Sequence, residues 1–531
     1  MKSSHCVIHA LLIIVCFQPL IAKAPSFGVW GVDTTHATHD PIIVDVDGDG
    51  LKDLVVPQYS PKLGRELHIH YQEANAKLAN APLKIEIKSE AIGFSLADVR
   101  ETPGTEILWI TADAVYSYSA RVQGYVGNLK HLLDWELFVN HPDSKELLYV
   151  EAVDLNADGA RDLVLPGRDR FGVFLNFKDD TLSLVETIEL SKTQATEPAQ
   201  VSRRTFQRSL LTRTVTDIDD KGEVGLRNIF VPRSQYQSLF SEITPDELQT
   251  RSISFGSWQR GVIQRDFDGD GLSDLVTKGG KGIIVSHLKS DMANTQAAVS
   301  DSAASNGNPQ NSYKLITRDI PYPGKPVSSL EDVDGDGDLD IVSINSGIAS
   351  STIHLTINYD GFFNSVKPSQ VFRINGTVIG VEFEPIRQGE NPLMLINTVT
   401  APLRKLLTEI ELHRNLLLFE MDESEKGVFN QKPSLTSTHS INIDSLRNLM
   451  PSTLRFDLDL DGSNDILECK SDGTVQALSI DTRTFKTTQP FWQFTPEYAV
   501  FSAETDDLNN DQLPDLILKH STAVTYLVSR P

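Results

Sequence analysis

The fold of this chain is decided by a nine-residue acidic stretch that first appears as Asp45-Val46-Asp47-Gly48-Asp49-Gly50-Leu51-Lys52-Asp53. The same pattern returns five times, with Asp or Asn at positions 1, 3, 5 and 9 and Leu or Ile at position 10. We number these loops one to six in chain order. They occupy residues 45–53, 154–162, 266–274, 332–340, 457–465 and 507–515. Internal repetition of this kind indicates a repeat architecture.

The spacing of the acidic residues suits a calcium ion, which takes about six to eight oxygen ligands at roughly 2.3–2.6 Å from a flexible loop. Side chains at positions 1, 3, 5 and 9 supply carboxylate or amide oxygens, and position 7 offers its backbone carbonyl. Gly stands at position 6 in five loops and allows the positive φ of a sharp turn, whereas the sixth loop has Gln512. Magnesium demands stricter octahedral geometry and zinc prefers His and Cys, so calcium is the expected ion.

Each loop is therefore expected to hold one calcium ion through five residues. A plain hairpin turn is the competing interpretation, but it needs Asn-Gly or Asp-Gly at two positions and not four polar positions in a fixed register. The residues after position 9 read as strand starts, so each loop is expected to join two β-strands. The predicted ligands are Asp45, Asp47, Asp49, Leu51, Asp53, Asp154, Asn156, Asp158, Ala160, Asp162, Asp266, Asp268, Asp270, Leu272, Asp274, Asp332, Asp334, Asp336, Asp338, Asp340, Asp457, Asp459, Asp461, Ser463, Asp465, Asp507, Asn509, Asp511, Leu513 and Asp515.

Three weaker copies lie between the six loops, beginning at Asp98, Asp217 and Glu382. The first keeps acids at positions 1 and 9 but has Arg100 at position 3. The second has Lys221 at position 5, and the third keeps only an acidic outline. A cationic side chain can fill a calcium position by pairing with the remaining carboxylates, so we expect these three copies to fold without metal.

The spacing of the copies predicts the architecture. Their first acidic residues follow one another at a mean step of about 58 residues, and short β-rich runs, about four per repeat, fill the intervals. The sequence predicts an all-β chain: a β-propeller of about eight four-stranded antiparallel blades, within bounds of seven to nine, with calcium loops between strands. Residues 26–32 are expected to complete the last blade and so remove an exposed sheet edge. Residues 290–312 read as a flexible loop, and residues 403–421 as either a strand pair or a short helix.

The N-terminus has the features of a secretory signal over residues 1–24. Lys2 precedes an apolar core at residues 6–17, which is too short to span a bilayer, and Ala22-Lys23-Ala24 resembles a small-residue cleavage site. An uncleaved anchor is the alternative. We expect residues 25–531 to form the propeller in the periplasm, on the cell surface or in the medium, with no transmembrane segment in the mature chain.

The net charge limits the kinds of partner that the chain can bind, and the cysteine content bears on how the fold is stabilised. The net charge of −24 argues against nucleic-acid binding, which needs a basic surface. Six calcium ions would offset about half of that charge, so much of the acidity belongs to the loops and not to a partner surface. Only Cys469 lies outside the predicted signal, so no intramolecular disulfide is expected, and calcium would take the stabilising role that disulfides have in many exported domains.

The six loops resemble the metal loops of the FG-GAP / VCBS repeat family, which match those of the integrin α-subunit propeller. The resemblance covers essentially the whole chain after the predicted signal. Phe171-Gly172 and Phe255-Gly256 carry the Phe-Gly signature, while no Gly-Ala-Pro occurs. The resemblance implies an exported, calcium-stabilised propeller that serves adhesion or ligand binding. Some members of this broad family are polysaccharide-active enzymes with the same loops.

Motifs of known catalytic sites are absent from the sequence. There is no Gly-x-Ser-x-Gly elbow, no His-Glu-x-x-His and no phosphate-binding loop. His68 and His70 alternate on one predicted strand, and His36 and His39 precede it; a polar strand face explains such pairs more simply than a metal. Two hypotheses follow: a binding or adhesion module for an unknown protein or glycan, which we favour, and a glycan-active lyase or hydrolase with its site in the central funnel. Paired carboxylates or basic residues in that funnel would favour the second.

Overall fold

The structure of the chain is a computed structural model. The predicted signal and nearly all of the predicted flexible loop lie outside the residues that it describes. Described are residues 25–37, 39, 41–62, 64–73, 77–79, 81–137, 147–167, 170–176, 181–189, 200–206, 215–218, 224–227, 253–259, 263–278, 282–290, 313–321, 329–345, 347, 349–358, 369–400, 412–422, 424–441, 450–481, 484–520 and 522–530.

Within these residues the secondary structure consists of β-strands and turns, with no helix. The strands up to residue 140 are β1 (Ser26–Asp33), β2 (Ile42–Val44), β3 (Asp53–Ser60), β4 (Gly64–His70), β5 (Gln72–Glu73), β6 (Lys77–Leu78), β7 (Leu83–Glu86), β8 (Gly93–Ala97), β9 (Glu106–Ile110), β10 (Ala114–Tyr118) and β11 (Lys130–Asp134). The next are β12 (Leu148–Tyr149), β13 (Leu163–Pro166), β14 (Arg170–Asn176), β15 (Leu182–Glu189), β16 (Gln200–Phe206), β17 (Val215–Ile218), β18 (Val224–Arg227), β19 (Ile253–Gln259), β20 (Ile263–Arg265), β21 (Asp274–Lys278), β22 (Gly282–Ser290) and β23 (Tyr313–Pro321). The remainder are β24 (Ser329–Glu331), β25 (Asp340–Asn345), β26 (Ser350–Thr356), β27 (Gln370–Asn375), β28 (Thr377–Glu384), β29 (Leu393–Thr400), β30 (Leu412–Phe419), β31 (Leu435–Ile441), β32 (Thr453–Phe456), β33 (Asp465–Cys469), β34 (Val475–Leu478), β35 (Ile480–Asp481), β36 (Lys486–Thr487), β37 (Trp492–Phe494), β38 (Val500–Asp506), β39 (Asp515–His520) and β40 (Ala523–Arg530).

The strands form eight antiparallel blades, as the sequence predicted. Seven blades contain four paired strands; the third has three, and an isolated bridge between Val153 and Asp162 stands where its first strand would pair. We number the blades one to eight in the order in which their first strands occur in the chain. They are β2-β3-β4-β7, β8-β9-β10-β11, β13-β14-β15, β20-β21-β22-β23, β24-β25-β26-β27, β28-β29-β30-β31, β32-β33-β34-β37 and β38-β39-β40-β1.

The described apolar core is divided among the contacts between blades. It forms eight clusters, and each cluster joins two neighbouring blades, including blade eight with blade one. In the last of these contacts, Leu54 and Val56 of blade one pack with Ile517 and Val524 of blade eight. Because every blade is covered on both faces by a neighbour, the eight blades form a closed ring, a β-propeller.

The last blade is completed by the first strand of the chain. β1 pairs with β40 over eight residue pairs, from Ser26 with Arg530 to Asp33 with Ala523. This is the closure predicted for residues 26–32. The undecided segment 403–421 contains the strand β30, while residues 401–411 lie outside the described residues.

Hydrogen bonds also join the loops of neighbouring blades. In three contacts, the amide at loop position 8 donates to the carbonyl at position 2 of the preceding loop in the ring, at 3.1 Å. These pairs are Lys52 with Leu508, Ser273 with Leu155, and Leu339 with Phe267. Since each blade carries its loop between its first and second strands, the bonds place the loops together on one face of the ring.

The described strands between β15 and β20 belong to none of the eight blades. Blade three contacts blade four directly, through the bond from Ser273 to Leu155 and through the cluster that joins Leu175 to Leu275. β17 and β18 form a separate hairpin that carries Asp217, so this weak copy adds no blade, and its Lys221 is outside the described residues. β16 pairs with β19, which lies parallel to β12 beside the first strand of blade two. Nowhere in the described part of the chain is there a helix long and apolar enough to cross a bilayer.

Candidate functional site

All six strong loops share one backbone conformation. Positions 4 and 6 have positive φ in every loop, from Gly48 (76°) and Gly50 (89°) in the first to Asn510 (56°) and Gln512 (67°) in the sixth. The sequence analysis predicted the turn at position 6 but not the one at position 4, although Gly48, Gly269 and Gly335 stand there in three loops; Ala157, Leu460 and Asn510 take this position in the others. The two left-handed residues turn the chain around the side chains at positions 1, 3 and 5.

Hydrogen bonds to the aspartates hold this conformation. In every strong loop, the position-6 amide donates to the position-1 carboxylate at 2.8–3.1 Å. The position-7 amide donates to the position-5 carboxylate at 2.7–3.0 Å. Each carboxylate thus uses part of its hydrogen-bonding capacity on its own loop and retains lone pairs for a further partner.

The position-9 aspartate connects each loop to its blade. Its Oδ2 accepts the amide of position 2 at 2.8–2.9 Å in all six loops. In four loops its Oδ1 also accepts a backbone amide within two residues of the end of the third strand; the donors are Gln72, Asn176, Asn358 and Ser529. These aspartates are at most 1% exposed, so their carboxylates lie at the base of the loops.

Three loops bring the predicted ligands at positions 1, 3 and 9 together. One oxygen from each residue lies within 4.8 Å of the others in loops one, four and five. The third loop groups positions 1, 3 and 5 in the same way. In loops two and six, Asn at position 3 donates from Nδ2 to the position-5 carboxylate at 2.9 and 3.0 Å, which leaves its carbonyl oxygen as a ligand atom.

The donor set fits a hard divalent cation. Asp334 and Asp465 are 2% and 0% exposed, yet one carboxylate oxygen of each, Oδ1, has no hydrogen-bond partner. The Oδ1 atoms of Asp266 and Asp268 are also buried and also have no hydrogen-bond partner. A buried anionic oxygen without a partner is costly, and an all-oxygen cluster is the kind that calcium prefers.

Burial also raises the pKa of the position-9 carboxyls. The pKa reaches about 8 for Asp340 and about 7 for Asp162 and Asp465, because burial disfavours the ionised form and the neighbouring loop aspartates add repulsion. Backbone amides offset part of the rise. A cation at the centre of each loop would favour the ionised carboxylates that the loop brings together.

The weak copies in the ring differ from the strong loops in distinct ways. Glu106, at position 9 of the first weak copy, accepts the amides of Val99 and Arg100 in the manner of a position-9 aspartate. The Arg100 guanidinium is buried and donates to Ser117 and Asn128.

In the third weak copy, Glu382 and Glu384 lie within β28, before the loop begins. The inter-blade bond places Ile386 where position 2 stands elsewhere, since its carbonyl accepts the amide of Asn464 at 2.6 Å. The acidic outline at Glu382 therefore does not mark a loop of the strong type.

A second charged cluster, which the sequence analysis did not predict, lies on the first strands of the blades. Arg455 Nε is 2.9 Å from Glu384 Oε1 and 4.0 Å from Glu382 Oε1. Glu331 of blade five interacts electrostatically with Arg265 of blade four and with Arg455 of blade seven. Because blades five and seven are not neighbours, their first strands must lie close to the ring axis. We call these five residues the channel cluster.

The channel cluster has an excess of carboxylates in a partly buried setting. Burial raises the pKa of Glu331, Glu382 and Glu384, and the nearby guanidinium groups offset part of the rise. Arg265 and Glu331 stand directly before position 1 of loops three and four. A charged residue at that position is the sequence signal that could have identified the cluster, but only the ring brings the four strands together.

The histidines noted in the sequence, and three of the tryptophans, have mainly structural surroundings. His68 Nε2 contacts Glu66 Oε2 at 2.8 Å, and among the described residues neither His68 nor His70 belongs to a group of three potential metal ligands. His39 packs against Tyr149. Trp109, Trp135 and Trp492 belong to apolar clusters between blades.

Comparisons with known proteins leave the family of the chain open. No family model matches the sequence, and no curated protein matches it. Among solved structures, the chain is similar to an Agrocybe aegerita lectin described as recognising non-reducing terminal N-acetylglucosamine, with 17% identity, 78% of this chain and 87% of the lectin covered, and a TM-score of 0.33. It is also similar to a putative 6-phosphogluconolactonase from Bacteroides fragilis, with 13% identity, 86% and 97% covered, and a TM-score of 0.29. These values are too low to support an argument about function, and the fold rests on the strand pairing of the chain itself.

Proposed function

We propose that this chain is an exported, calcium-stabilised β-propeller that acts as a binding or adhesion module. The observation that carries the proposal is the common conformation of the six loops between first and second strands, four of which bring three aspartate oxygens within 4.8 Å of one another. The resemblance of the loop sequences to FG-GAP / VCBS repeats supports the same interpretation. Calcium would be held by positions 1, 3, 5 and 9 and the position-7 carbonyl, and would stabilise the ring without taking part in a reaction.

The test measures calcium and binding on the same protein. Purified protein, treated with chelator and re-equilibrated with calcium alone, should contain about six calcium ions per chain by mass spectrometry of the metals, one per strong loop. Its melting temperature should fall when a chelator is added, since calcium binds the folded state. A glycan and protein array with and without chelator should give a calcium-dependent ligand. A melting temperature indifferent to chelator would exclude the structural role of calcium.

Export has its own measurement. N-terminal sequencing of protein recovered from the periplasm, cell surface or medium should begin at Pro25 if cleavage follows Ala24, or at Lys23 if it follows Ala22. Recovery of the chain only inside the cell, with residues 1–24 still attached, would remove export from the proposal and leave the calcium sites untouched.

The channel cluster favours a second candidate function, a glycan-active lyase or hydrolase. Glycoside hydrolases use paired carboxyl groups, one of which has a raised pKa and donates a proton. Glu382 and Glu384 share Arg455 and have raised pKa values for the reasons given above. The cluster lies near the ring axis, where propellers present their ligand sites.

Turnover of a polysaccharide panel separates the two candidates. If the chain is an enzyme, Glu382→Gln or Glu384→Gln should abolish product formation while leaving the calcium count unchanged. Glu504→Gln is the matched control, because Glu504 also lies on a first strand and pairs with one cation, Lys519, at 2.6 Å. Absence of any product from the wild-type protein across the panel leaves the binding module as the supported function.

A further inference from the structure

The third loop differs from the other five in the residue that contacts its position-9 aspartate. Asp274 Oδ1 lies 3.0 Å from Nδ1 of His287, on β22, whereas four other loops place a backbone amide at this point. In the fifth loop, Asp465 Oδ1 has no hydrogen-bond partner. His287 is 2% exposed and Asp274 0%, so the imidazole is part of the buried base of the loop.

The same imidazole nitrogen faces a second carboxylate. His287 Nδ1 is 3.3 Å from Asp268 Oδ2, and one atom from each of Asp268, Asp274 and His287 lies within 4.8 Å of the other two. The other oxygen of Asp268, Oδ1, is buried without a hydrogen-bond partner. Two ligands of a tetrahedral zinc ion, each about 2.0–2.1 Å from it, lie roughly 3.3–3.4 Å apart, which is close to the separation seen between Nδ1 and Asp268.

The imidazole changes the metal that this loop suits. Calcium takes oxygen ligands, whereas zinc and the other borderline transition metals bind imidazole nitrogen together with carboxylate oxygen. We propose that the third loop binds one zinc-class divalent ion through Asp268, Asp274 and His287, while the other loops take calcium. The inference rests on the proposed function only in that the loops are cation sites, and the two ions can be counted separately.

The experiment uses the full chain in two-metal competition. Protein stripped with chelator is re-equilibrated with millimolar calcium and a small excess of zinc or cobalt(II), and bound metals are counted by mass spectrometry. We expect one zinc or cobalt ion per chain to persist against the calcium excess, and cobalt to show visible absorption bands typical of a site with a nitrogen ligand. The remaining loops should hold about five calcium ions.

Substitutions assign the ion to the loop. His287→Gln should lose the single zinc or cobalt ion and keep the calcium count of the other loops. His68→Gln is the matched control, since His68 is a largely buried strand histidine with one carboxylate neighbour, and it should change neither count. Should His287→Gln fail to fold, Asp268→Asn removes a carboxylate whose side chain is 21% exposed and should cause the same loss of zinc.

The outcomes separate this inference from the proposed function. A wild-type protein with no zinc or cobalt under calcium excess, or a His287→Gln protein that retains the ion, would overturn the third-loop site even if calcium binds elsewhere. That result would mean that the imidazole itself pairs with the two carboxylates. One zinc ion without any calcium would instead support this site and overturn the calcium proposal.

Discussion

The left-handed residues of the loops differ in how well their side chains suit that backbone. Position 6 is Gly in loops one to five and Gln512 in the sixth, where φ is 67°. A side chain in this region costs roughly 1–2 kcal/mol relative to the right-handed region, whereas Gly has no such penalty. Gln512 is exposed and its amide still donates to Asp507, so the loop keeps its shape despite the strain.

We therefore predict that Gln512→Gly stabilises the chain. The relief of strain outweighs the extra flexibility that Gly gives the unfolded chain, with a net gain of up to about 1 kcal/mol in the free energy of unfolding. Chemical denaturation in saturating calcium measures it. The reciprocal control is Gly462→Ala in the fifth loop, where φ is 84° and an added Cβ would meet no atom within 4 Å. It should lose stability, and a Gln512→Gly variant less stable than wild type would contradict the strain argument.

Single ligands allow the loops to be tested one at a time. Asp336→Ala removes the position-5 carboxylate of loop four and the acceptor of the Asp338 amide. We expect one calcium ion fewer per chain and a lower melting temperature. Asp461→Ala should do the same in loop five. Because the two loops belong to different blades, the double variant should lose two ions with additive losses in stability. Strong non-additivity would show that the loops are coupled through the ring.

At the scale of the loop and its blade, the buried position-9 aspartates make stability depend on pH. The pKa of Asp340 is raised to about 8 and that of Asp465 to about 7, above the ordinary 3.8. In chelator-treated protein, the folded chain thus binds more protons than the unfolded chain between about pH 4 and pH 8. Stability then falls as pH rises through this window. Calcium favours the ionised form and should reverse the trend.

Thermal melts at several pH values, with calcium and with chelator, test this expectation. The gain in melting temperature from calcium should be small near pH 5 and largest near pH 8, because protons and calcium compete for the same carboxylates. Asp340→Asn is the informative variant, because it removes a carboxyl group whose pKa is raised to about 8 and keeps the size of the side chain. In chelator, the melting temperature of this variant should depend less on pH than that of the wild-type protein. A calcium effect that grows toward acid pH would contradict the argument.

Local patterns predicted the elements well, because the determinants are local. The ligand spacing in residues 45–53 indicated both the loop and the strand β3 that follows, and the apolar residues 26–32 indicated the closing strand β1. Contacts between elements that are far apart in the sequence could not be predicted from local patterns. Glu382 was interpreted as the start of a loop because its acidic neighbours imitate one, while the structure places it on β28 facing Arg455. His287 was overlooked since it lies on the third strand, outside the motif that it meets in space.

The difference between local patterns and distant contacts also applies to the number of blades. Nine copies of the motif predicted seven to nine blades, and the sequence contains no sign of which copy adds no blade. The ring has eight because the hairpin that carries Asp217 is bypassed: blade three packs directly on blade four, and Leu175 and Leu275 share one apolar cluster. Closure then depends on β1, which pairs with β40 along its whole length and covers the edge that β40 would otherwise expose.

This bypass predicts that the segment 190–262 can be removed without opening the ring. A variant in which six Gly and Ser residues replace it should fold, because residues 87–92 make the same kind of connection between β7 and β8. The contact from Ser273 to Leu155 would remain. We expect one cooperative melting transition, an unchanged metal count and circular dichroism typical of β-sheet. The matched control removes residues 329–375, a whole blade, and should lose cooperative folding because blades four and six would no longer meet their partners. If the shortened variant unfolds as the control does, the segment stabilises the ring and the contact between blades three and four is not sufficient for closure.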